Sequence, residues 1–171
     1  MIIIRSETSE DYTAIFEVNK LAFEQENEAQ LVEKIRQLAN FNPQLSLVAV
    51  KSSKVVGHIL FSNIIIQSQK GNFSALALAP LAVHPEFQNQ GIGSQLVQQG
   101  LRKCQSLGHK VVVVIGHPTF YTRFGFSSAT AKGLSVLWQV PDEAFLILEL
   151  IPDALNGISG VVKYPSVFDA V

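Results

Sequence analysis

Apolar residues recur along this chain of 171 residues with two different periods. Near the start they recur every three or four positions, which predicts helices over about residues 9–23 and 26–38. Ser9 is the expected N-cap of the first helix, with acidic residues in the first turn. A third helix is predicted over residues 92–107, where one broad apolar face is followed by a terminating Gly108. That face comprises Ile92, Leu96, Val97, Gly100, Leu101, Cys104 and Leu107.

Shorter apolar runs rich in β-branched residues predict strands. Residues 45–50, 55–67 and 73–83 are separated by polar turns and predict a three-stranded antiparallel meander. Within the second of these strands, Gly57 indicates a bulge or a close backbone approach. Residues 111–115 are an unbroken β-branched run, typical of a strand that is covered on both faces and paired in parallel. Further strands are expected at residues 1–5, 134–138, 144–150 and 161–164, and a short helical segment at residues 119–123.

The order of these elements predicts an α/β fold with a mixed sheet of the α+β kind. The strand at 73–83, the helix at 92–107 and the strand at 111–115 are expected to form a parallel β-α-β unit with a right-handed crossover. No repeat, linker or low-complexity segment interrupts the chain, and its length suits a single domain over residues 1–171.

Composition narrows the class of protein. With 47% apolar and 16% charged residues, the chain is expected to be globular. A formal net charge of −1 argues against a nucleic-acid partner. No apolar run reaches membrane-spanning length and the N-terminus is too short for a signal peptide, so we expect a soluble cytoplasmic protein. The single Cys104 cannot form an internal disulfide and is expected in the core.

Two further kinds of site are not indicated. The four histidines are scattered and no Cys/His pair has ligand spacing, so no metal site is predicted. The chain also lacks the Gly-x-Ser-x-Gly elbow of a serine hydrolase.

The turn between the strand at 73–83 and the helix at 92–107 carries the candidate chemistry. It reads Val83-His84-Pro85-Glu86-Phe87-Gln88-Asn89-Gln90-Gly91-Ile92-Gly93. Backbone N–H groups point outward at a helix start, and the helix dipole favours negative charge there. Glycines let the backbone approach a bulky anion, so the turn predicts a phosphate or diphosphate cradle. A nucleotide P-loop is excluded because Ser94, not lysine, follows Gly93. The dinucleotide fingerprint is excluded because Leu96 stands where it needs glycine.

The pattern Gln88-x-x-Gly91-x-Gly93, after a strand ending in Val83, resembles the acyl-CoA diphosphate loop of the GNAT superfamily of N-acetyltransferases. A second segment, residues 117–126, is similar to the family's segment after the fifth strand. It reads His-Pro-Thr-Phe-Tyr-Thr-Arg-Phe-Gly-Phe, wording similar to a bacterial branch labelled YhbS-like. The resemblance covers nearly the whole chain. It implies the GNAT fold: an antiparallel meander and a parallel β-α-β crossover whose two strands splay apart.

The resemblance implies acetyl-CoA as cofactor. Its diphosphate is expected on the backbone of the turn, and its pantetheine arm along the opened end of the strand at 73–83. The expected cofactor-binding residues are Leu81, Ala82, Val83, Gln88, Asn89, Gln90, Gly91, Ile92, Gly93 and Ser94. For the side chains of Asn89 and Gln90, a solvated role in the loop is the alternative.

Tyr121 is the expected general acid, because the resemblance places it beside the CoA sulfur. A phenol with a pKa of about 10 keeps its proton at neutral pH and needs no tuning to act as a donor. The alternative is a half-buried tyrosine packed against Phe124 and Phe126. His117 is the rival catalytic residue, with a turn histidine bonded to backbone as its alternative.

The strand before the turn offers no general base, because residues 75–81 contain no ionisable side chain. Glu28 is the candidate, since its region borders the acceptor pocket in the family, with a solvated helix face as the alternative. Competing positions are Glu24, Glu26, Glu33, His84 and His58. A base acting through water, or an amine that arrives neutral, would need none of them.

The predicted activity is therefore transfer of an acetyl group from acetyl-CoA to a primary amine, by direct attack in a ternary complex. The missing strand carboxylate motivates one alternative, a non-catalytic acyl-CoA-binding sensor or interaction module. The small Ala75, Ala77 and Ala79 motivate another, a transferase for longer acyl chains. The sequence does not identify the amine, and it leaves a monomer and a homodimer open.

Overall fold

A computed structural model describes every residue from Met1 to Val171. The helices are α1 Tyr12–Phe23, α2 Asn27–Arg36, α3 Ile92–Ser106 and α4 Pro118–Tyr121. The strands are β1 Ile2–Ser6, β2 Ser46–Lys51, β3 Lys54–Ser68, β4 Gly71–Val83, β5 Val111–Ile115, β6 Ser127–Ser128, β7 Leu134–Val136, β8 Phe145–Glu149 and β9 Gly160–Lys163. The predicted mixed α/β fold is confirmed: most pairings are antiparallel, and β4–β5 and β7–β9 are parallel. No helix has both the length and the apolar character needed to cross a membrane.

The chain forms two compact units, and β3 and β4 each contribute to both. The first unit comprises Met1–Ser62, Ala79–Cys104 and Ser166–Val171. The second comprises Asn63–Leu78 and Gln105–Pro165. The expectation of one domain over the whole chain stays a prediction.

In the first unit, β1, β2 and β3 form an antiparallel series, and β3 carries the expected irregularity at Gly57. Ala49 lies opposite Gly57 while Val50 lies opposite Val55, so β3 has one extra residue between them. A Cβ atom at Gly57 would lie 3.0 Å from Leu96 Cδ1 of α3. The glycine therefore serves both expected purposes, a bulge and a close approach.

A second glycine brings α3 onto the same strand. Gly100 is buried, and a Cβ atom there would collide with the ring of Phe61. Cys104, one turn further along α3, is fully buried as predicted, and burial raises the pKa of its thiol to about 12. The apolar face of α3 is thus the helix side of the first unit's core.

The predicted N-cap, Ser9, is wrong by one residue. Thr8 caps a short 3₁₀ turn, Ser9–Asp11, that leads into α1. The Thr8 N–H donates to Asp11 Oδ2 at 2.8 Å, and the Asp11 N–H donates to the Thr8 carbonyl at 2.9 Å. Asp11 stands three residues after Thr8, the spacing at which its side chain reaches back to the N–H of the capping residue. Arg5 also binds the Asp11 carboxylate, and this contact lowers the pKa of Asp11.

The second unit contains the parallel pair that the β-branched run predicts. β5 runs parallel to β4, with Leu76 opposite Val112, and antiparallel to β8, with Ile115 opposite Phe145. Most of the unit's core side chains come from these strands and from β3, β7 and β9. The core comprises Ile64, Ile66, Ala75, Ala77, Val111, Val113, Ala129, Leu134, Phe145, Ile147, Leu155 and Val162.

The strand expected at residues 134–138 is shorter than predicted. β7 ends at Val136, because its pairing with β9 ends at Val136 opposite Val162. Leu137 and Trp138 therefore belong to the loop that leads to β8.

Candidate functional site

The loop between β4 and α3 has the backbone geometry of an anion cradle. Asn89 and Gly91 adopt left-handed conformations, with φ of 62° and 82°. A Cβ atom at Gly91 would meet nothing within 4 Å, so glycine suits this position through its backbone angle and not through lack of space. Left-handed residues among extended or helical neighbours turn successive N–H groups toward one concave side, an arrangement that binds anions.

The first turn of α3 adds further donors to this loop. The Gln95 N–H donates to the Gly91 carbonyl at 3.1 Å, the first backbone bond of the helix. The N–H groups of Ile92 and Gly93 precede that bond and have no carbonyl one turn earlier in the helix. The first turn carries no acidic side chain that would compete for the positive end of the helix dipole. The donors and the dipole together favour a bound anion.

The side chain of Gln88 ties the loop back to the end of β4. Its Nε2 donates to the Val83 carbonyl at 3.0 Å. Beside it, the His84 N–H donates to the Val56 carbonyl of β3 at 2.9 Å. The strand end and the cradle are thus joined by one side chain, and the expected contact of Gln88 with a phosphate stays a prediction.

One positive charge lies beside the loop at a position that the sequence does not predict. The Lys51 Nζ atom lies 5.3 Å from the ring centroid of Phe87, and that ring packs edge-on against His84 at 5.6 Å. Lys51 ends β2 at the hairpin to β3, a position that indicates only a turn. A tertiary contact between the β2–β3 hairpin and this loop places Lys51 next to the cradle.

Tyr121 ends α4 in the second unit and is 8% exposed. Its ring packs edge-on against Phe120 at 4.9 Å and Phe126 at 5.6 Å, while the expected partner Phe124 packs against Phe120 instead. A Cβ atom at Gly116 would lie 2.6 Å from the Tyr121 ring, so a glycine there leaves room for it. Burial raises the pKa of Tyr121 to about 12, which keeps the phenol protonated at neutral pH.

His117 lies at the exposed start of the same short helix. Its carbonyl accepts the N–H groups of Phe120 and Tyr121, each at 3.1 Å. Its side chain makes no capping hydrogen bond. The backbone of His117 therefore fixes the turn that carries Tyr121, and a catalytic role for its imidazole stays a prediction.

The carboxylate proposed as a base lies in the first unit, in the first turn of α2. Both carboxylate oxygens of Glu28 accept from Gln25 Nε2, at 2.9 and 3.1 Å. Its competitor Glu26 pairs with Lys20 at 3.5 Å on the exposed surface. Glu24 and Glu33 are likewise exposed.

The two histidines that compete with Glu28 for the role of base make structural contacts. His58 is fully buried, with Asn19 Nδ2 at 3.2 Å from Nδ1 and Ser46 Oγ at 2.9 Å from Nε2. Burial lowers its pKa to about 3, so it is neutral and enclosed. His84 Nδ1 accepts the Glu86 N–H at 3.1 Å within the turn.

The second unit also contains a cleft of about 420 Å³ that includes none of the expected site residues. Lys132 and Glu149 form an ion pair of 2.7 Å in its wall. This contact lowers the pKa of Glu149. The cleft is therefore separate from the residues to which the sequence assigns chemistry.

Comparison with known proteins adds independent information. Residues 3–129 match the family model described as an acetyltransferase (GNAT) domain. The chain is 34% identical over 169 residues to the uncharacterized N-acetyltransferase YhbS of Escherichia coli K12, covering 98% of this chain and 99% of that protein. It is 37% identical over 134 residues to the uncharacterized N-acetyltransferase YjhQ of the same strain, covering 78% and 74%.

Two solved structures are similar over almost their full length. The crystal structure of YhbS from E. coli in complex with CoA has a TM-score of 0.90 at 34% identity, covering 98% of this chain and 92% of that one. The crystal structure of a GNAT family acetyltransferase from Brucella melitensis in complex with acetyl-CoA has a TM-score of 0.81 at 29% identity, covering 99% of each chain.

Proposed function

This chain belongs to the GNAT acetyltransferase family, and on that premise we propose that it transfers an acetyl group from acetyl-CoA to a primary amine by direct attack in a ternary complex. The observation that carries the proposal is the cradle at residues 88–94. Its left-handed Asn89 and Gly91 and the start of α3 are the backbone features of a turn that binds a diphosphate. The similar chains solved with CoA and acetyl-CoA support this choice of anion.

The end of β4 supports the second part of the cofactor site. The parallel ladder between β4 and β5 pairs Leu76 with Val112 and Ala77 with Val113, whereas β4 continues to Val83. In this proposal the backbone of Leu81, Ala82 and Val83 pairs with the pantetheine arm, as a strand would. Lys51 adds a positive charge beside the phosphates.

Acetyl-CoA supplies a thioester: the amine nitrogen bonds to its carbonyl carbon, the C–S bond breaks, the nitrogen loses a proton and the sulfur gains one. Tyr121 donates that proton to the sulfur in this proposal. Its raised pKa keeps the proton available at neutral pH, and the packing of its ring holds the hydroxyl in place. His117, at the start of the same helix, is the second candidate donor.

The proton on the amine needs an acceptor that β4 does not supply. Glu28 is the proposed base, acting through its carboxylate in the first turn of α2. Both of its oxygens are held by Gln25, so that contact must open or a water must carry the proton.

Calorimetry with acetyl-CoA tests the cradle through two variants at the same position. Gly91→Glu and Gly91→Gln impose the same strain on a left-handed residue, but only the first adds negative charge. We expect Gly91→Glu to lose the cofactor far more severely than Gly91→Gln, because an added carboxylate repels the diphosphate. Equal affinity in the two variants, or no heat with the unmodified protein, would refute the cradle.

Release of free thiol in the presence of a panel of primary amines tests turnover. Tight binding of acetyl-CoA without thiol release for any amine would favour the non-catalytic sensor, which the missing strand carboxylate motivates. Faster release from longer acyl-CoA esters than from acetyl-CoA would favour the longer-chain transferase instead.

A further inference from the structure

Three strands of the second unit run in the same direction. β9 is antiparallel to β3, with Ile65 opposite Lys163, and β7 is parallel to β9. β4 follows β3 through a short turn and therefore runs opposite to it, and β5 is parallel to β4. β5, β7 and β9 therefore run in the same direction, and their carboxyl ends point the same way. Ligands of open α/β sheets bind outside such carboxyl ends.

Aromatic and imidazole side chains stand after each of these strands. Gly116 and His117 follow β5 and lead to Tyr121. Trp138 follows β7, and Tyr164 follows β9 directly. The two rings are stacked, with centroids 4.6 Å apart and planes inclined by 37°.

The loop from β7 to β8 is tied to the end of β5. The Gly116 N–H donates to the Ala144 carbonyl at 2.9 Å, just before β8 begins. Ile115, Val136, Val140 and Tyr164 all pack against the same core. The end of this loop is therefore held beside Gly116, next to the segment that carries His117 and Tyr121.

The stacked pair is open to solvent on the side of Trp138. Trp138 is 36% exposed and its neighbour Leu137 is 75% exposed, whereas Tyr164 is partly buried. Two exposed apolar side chains form a patch far smaller than the roughly 800 Å² that each partner buries in a stable protein interface. The patch has the size of a small-molecule contact.

The charges of the loop between β7 and β8 favour a cation. Asp142 and Glu143 are exposed in the 3₁₀ turn Asp142–Ala144, whose last carbonyl holds Gly116. The cation nearby in sequence, Lys163, is exposed on β9, and alternation along the strand directs it away from the side of its buried neighbour Val162. A loop that carries both an aromatic surface and two carboxylates attracts an ammonium group carried on a flat apolar body.

We propose that the Trp138–Tyr164 pair binds the acceptor, and that this acceptor is a primary amine carried on an aromatic ring. The inference rests on the proposed acetyl transfer and specifies its substrate class. The ring stacks on Trp138, and the ammonium group approaches through the field of Asp142 and Glu143 before it gives up a proton and reacts.

Trp138 is the chain's single tryptophan, so its fluorescence reports directly on this place. The probes are phenethylamine, n-butylamine as an amine without a ring, and 2-phenylethanol as a ring without an amine. Each is titrated with and without CoA. We expect a saturable change in tryptophan emission with phenethylamine, and half-saturation at least about tenfold higher with the other two probes.

Steady-state kinetics of variants provide a second test of the role of Trp138. Trp138→Ala should raise the KM for phenethylamine about tenfold, the effect of losing one aromatic pair, and leave the KM for acetyl-CoA unchanged. Trp138→Phe, which keeps a ring, should restore most of the affinity. Leu107→Ala is the matched control, because Leu107 is similarly exposed at 39% and precedes the amino end of β5.

Different results would contradict the acceptor assignment and the acetyl-transfer assignment. Absence of a saturable emission change with phenethylamine, in protein that binds CoA by calorimetry, overturns the acceptor assignment and leaves the transferase assignment standing. A saturable change in protein that takes up no CoA supports the aromatic-amine site and overturns the acetyl transfer. Equal KM values for phenethylamine in Trp138→Ala and Leu107→Ala also overturn the acceptor assignment.

Discussion

The buried Tyr121 side chain is enclosed by aromatic rings, and burial raises its pKa to about 12. We predict that Tyr121→Phe lowers kcat by about 10²–10⁴-fold, the usual effect of removing a general acid, while the affinity for acetyl-CoA stays unchanged. Steady-state thiol release and calorimetry measure the two quantities. Tyr12→Phe is the control, because it removes an exposed phenol from α1. Equal turnover in the two variants would remove Tyr121 from the acid role.

Which single residues can be predicted from sequence depends on how local their chemistry is. The positive φ of Gly91 and the donors after it follow from a turn and a helix start within a few residues. Lys51 and Tyr164 carry no such signal. The first meets the cradle through a hairpin some thirty residues earlier in the chain, and the second meets Trp138 through the pairing of β7 with β9. Long-range contacts of this kind leave no periodic pattern.

At the scale of elements, α3 shows how a glycine inside a helix can be required. Alanine is ordinarily favoured over glycine there by about 1 kcal/mol. At Gly100, however, the added methyl group collides with Phe61. We predict that Gly100→Ala lowers the free energy of unfolding by about 1–3 kcal/mol, the usual effect of overpacking a core. Urea denaturation measures it.

Two companion variants complete that measurement. Gln99→Ala, on the exposed side of α3, should change the free energy of unfolding by no more than about 0.5 kcal/mol. The double variant Gly100→Ala with Phe61→Leu should recover part of the loss, because the smaller side chain makes room. A stabilising effect of Gly100→Ala alone would show that the Phe61 ring moves aside at no cost.

Elements with strong internal patterns were predictable, and those defined by pairing were less so. α3 begins at the expected Ile92 and ends one residue before the expected boundary, because apolar spacing and a terminal glycine define it locally. β7 is two residues shorter than predicted, because the end of its pairing with β9 determines its length. Because β7 ends at Val136, Trp138 lies in a loop and not in a strand.

At the scale of the whole molecule, a chain of buried polar groups connects Glu7, which follows β1, with α1, α2, β2 and β3 within the first unit. Asn19 Nδ2 donates to His58 Nδ1, so His58 Nε2–H donates to Ser46 Oγ, whose hydroxyl donates to Glu7 Oε1. Arg36 binds the Glu7 carboxylate at 3.0 and 3.1 Å. A protonated His58 would direct a second donor at Asn19 Nδ2, so the network accepts only the neutral imidazole.

This network predicts a loss of stability in acid. The pKa of His58 is about 3 in the folded chain and about 6.5 when the chain is unfolded. The neutral histidine therefore contributes its full stabilisation above pH 6.5 and loses it as the pH falls toward 3. One proton taken up on unfolding gives a slope of up to about 1.4 kcal/mol per pH unit.

Urea denaturation across that pH range measures the slope, with His58→Gln as the comparison. The amide retains hydrogen-bonding capacity but cannot titrate, so the variant should be less stable at neutral pH and should lack this part of the slope. An identical slope in both proteins would assign the acid sensitivity to other groups.

The burial of Cys104 has a practical consequence at the bench. The folded chain's one thiol is fully enclosed, and its high pKa keeps it from ionising. A disulfide dye such as Ellman's reagent attacks thiolates, and it therefore finds no target on the native protein. Colour that develops during a reaction can then be credited to liberated coenzyme alone, and the same dye becomes a sensor of denaturation once the enzyme is heated.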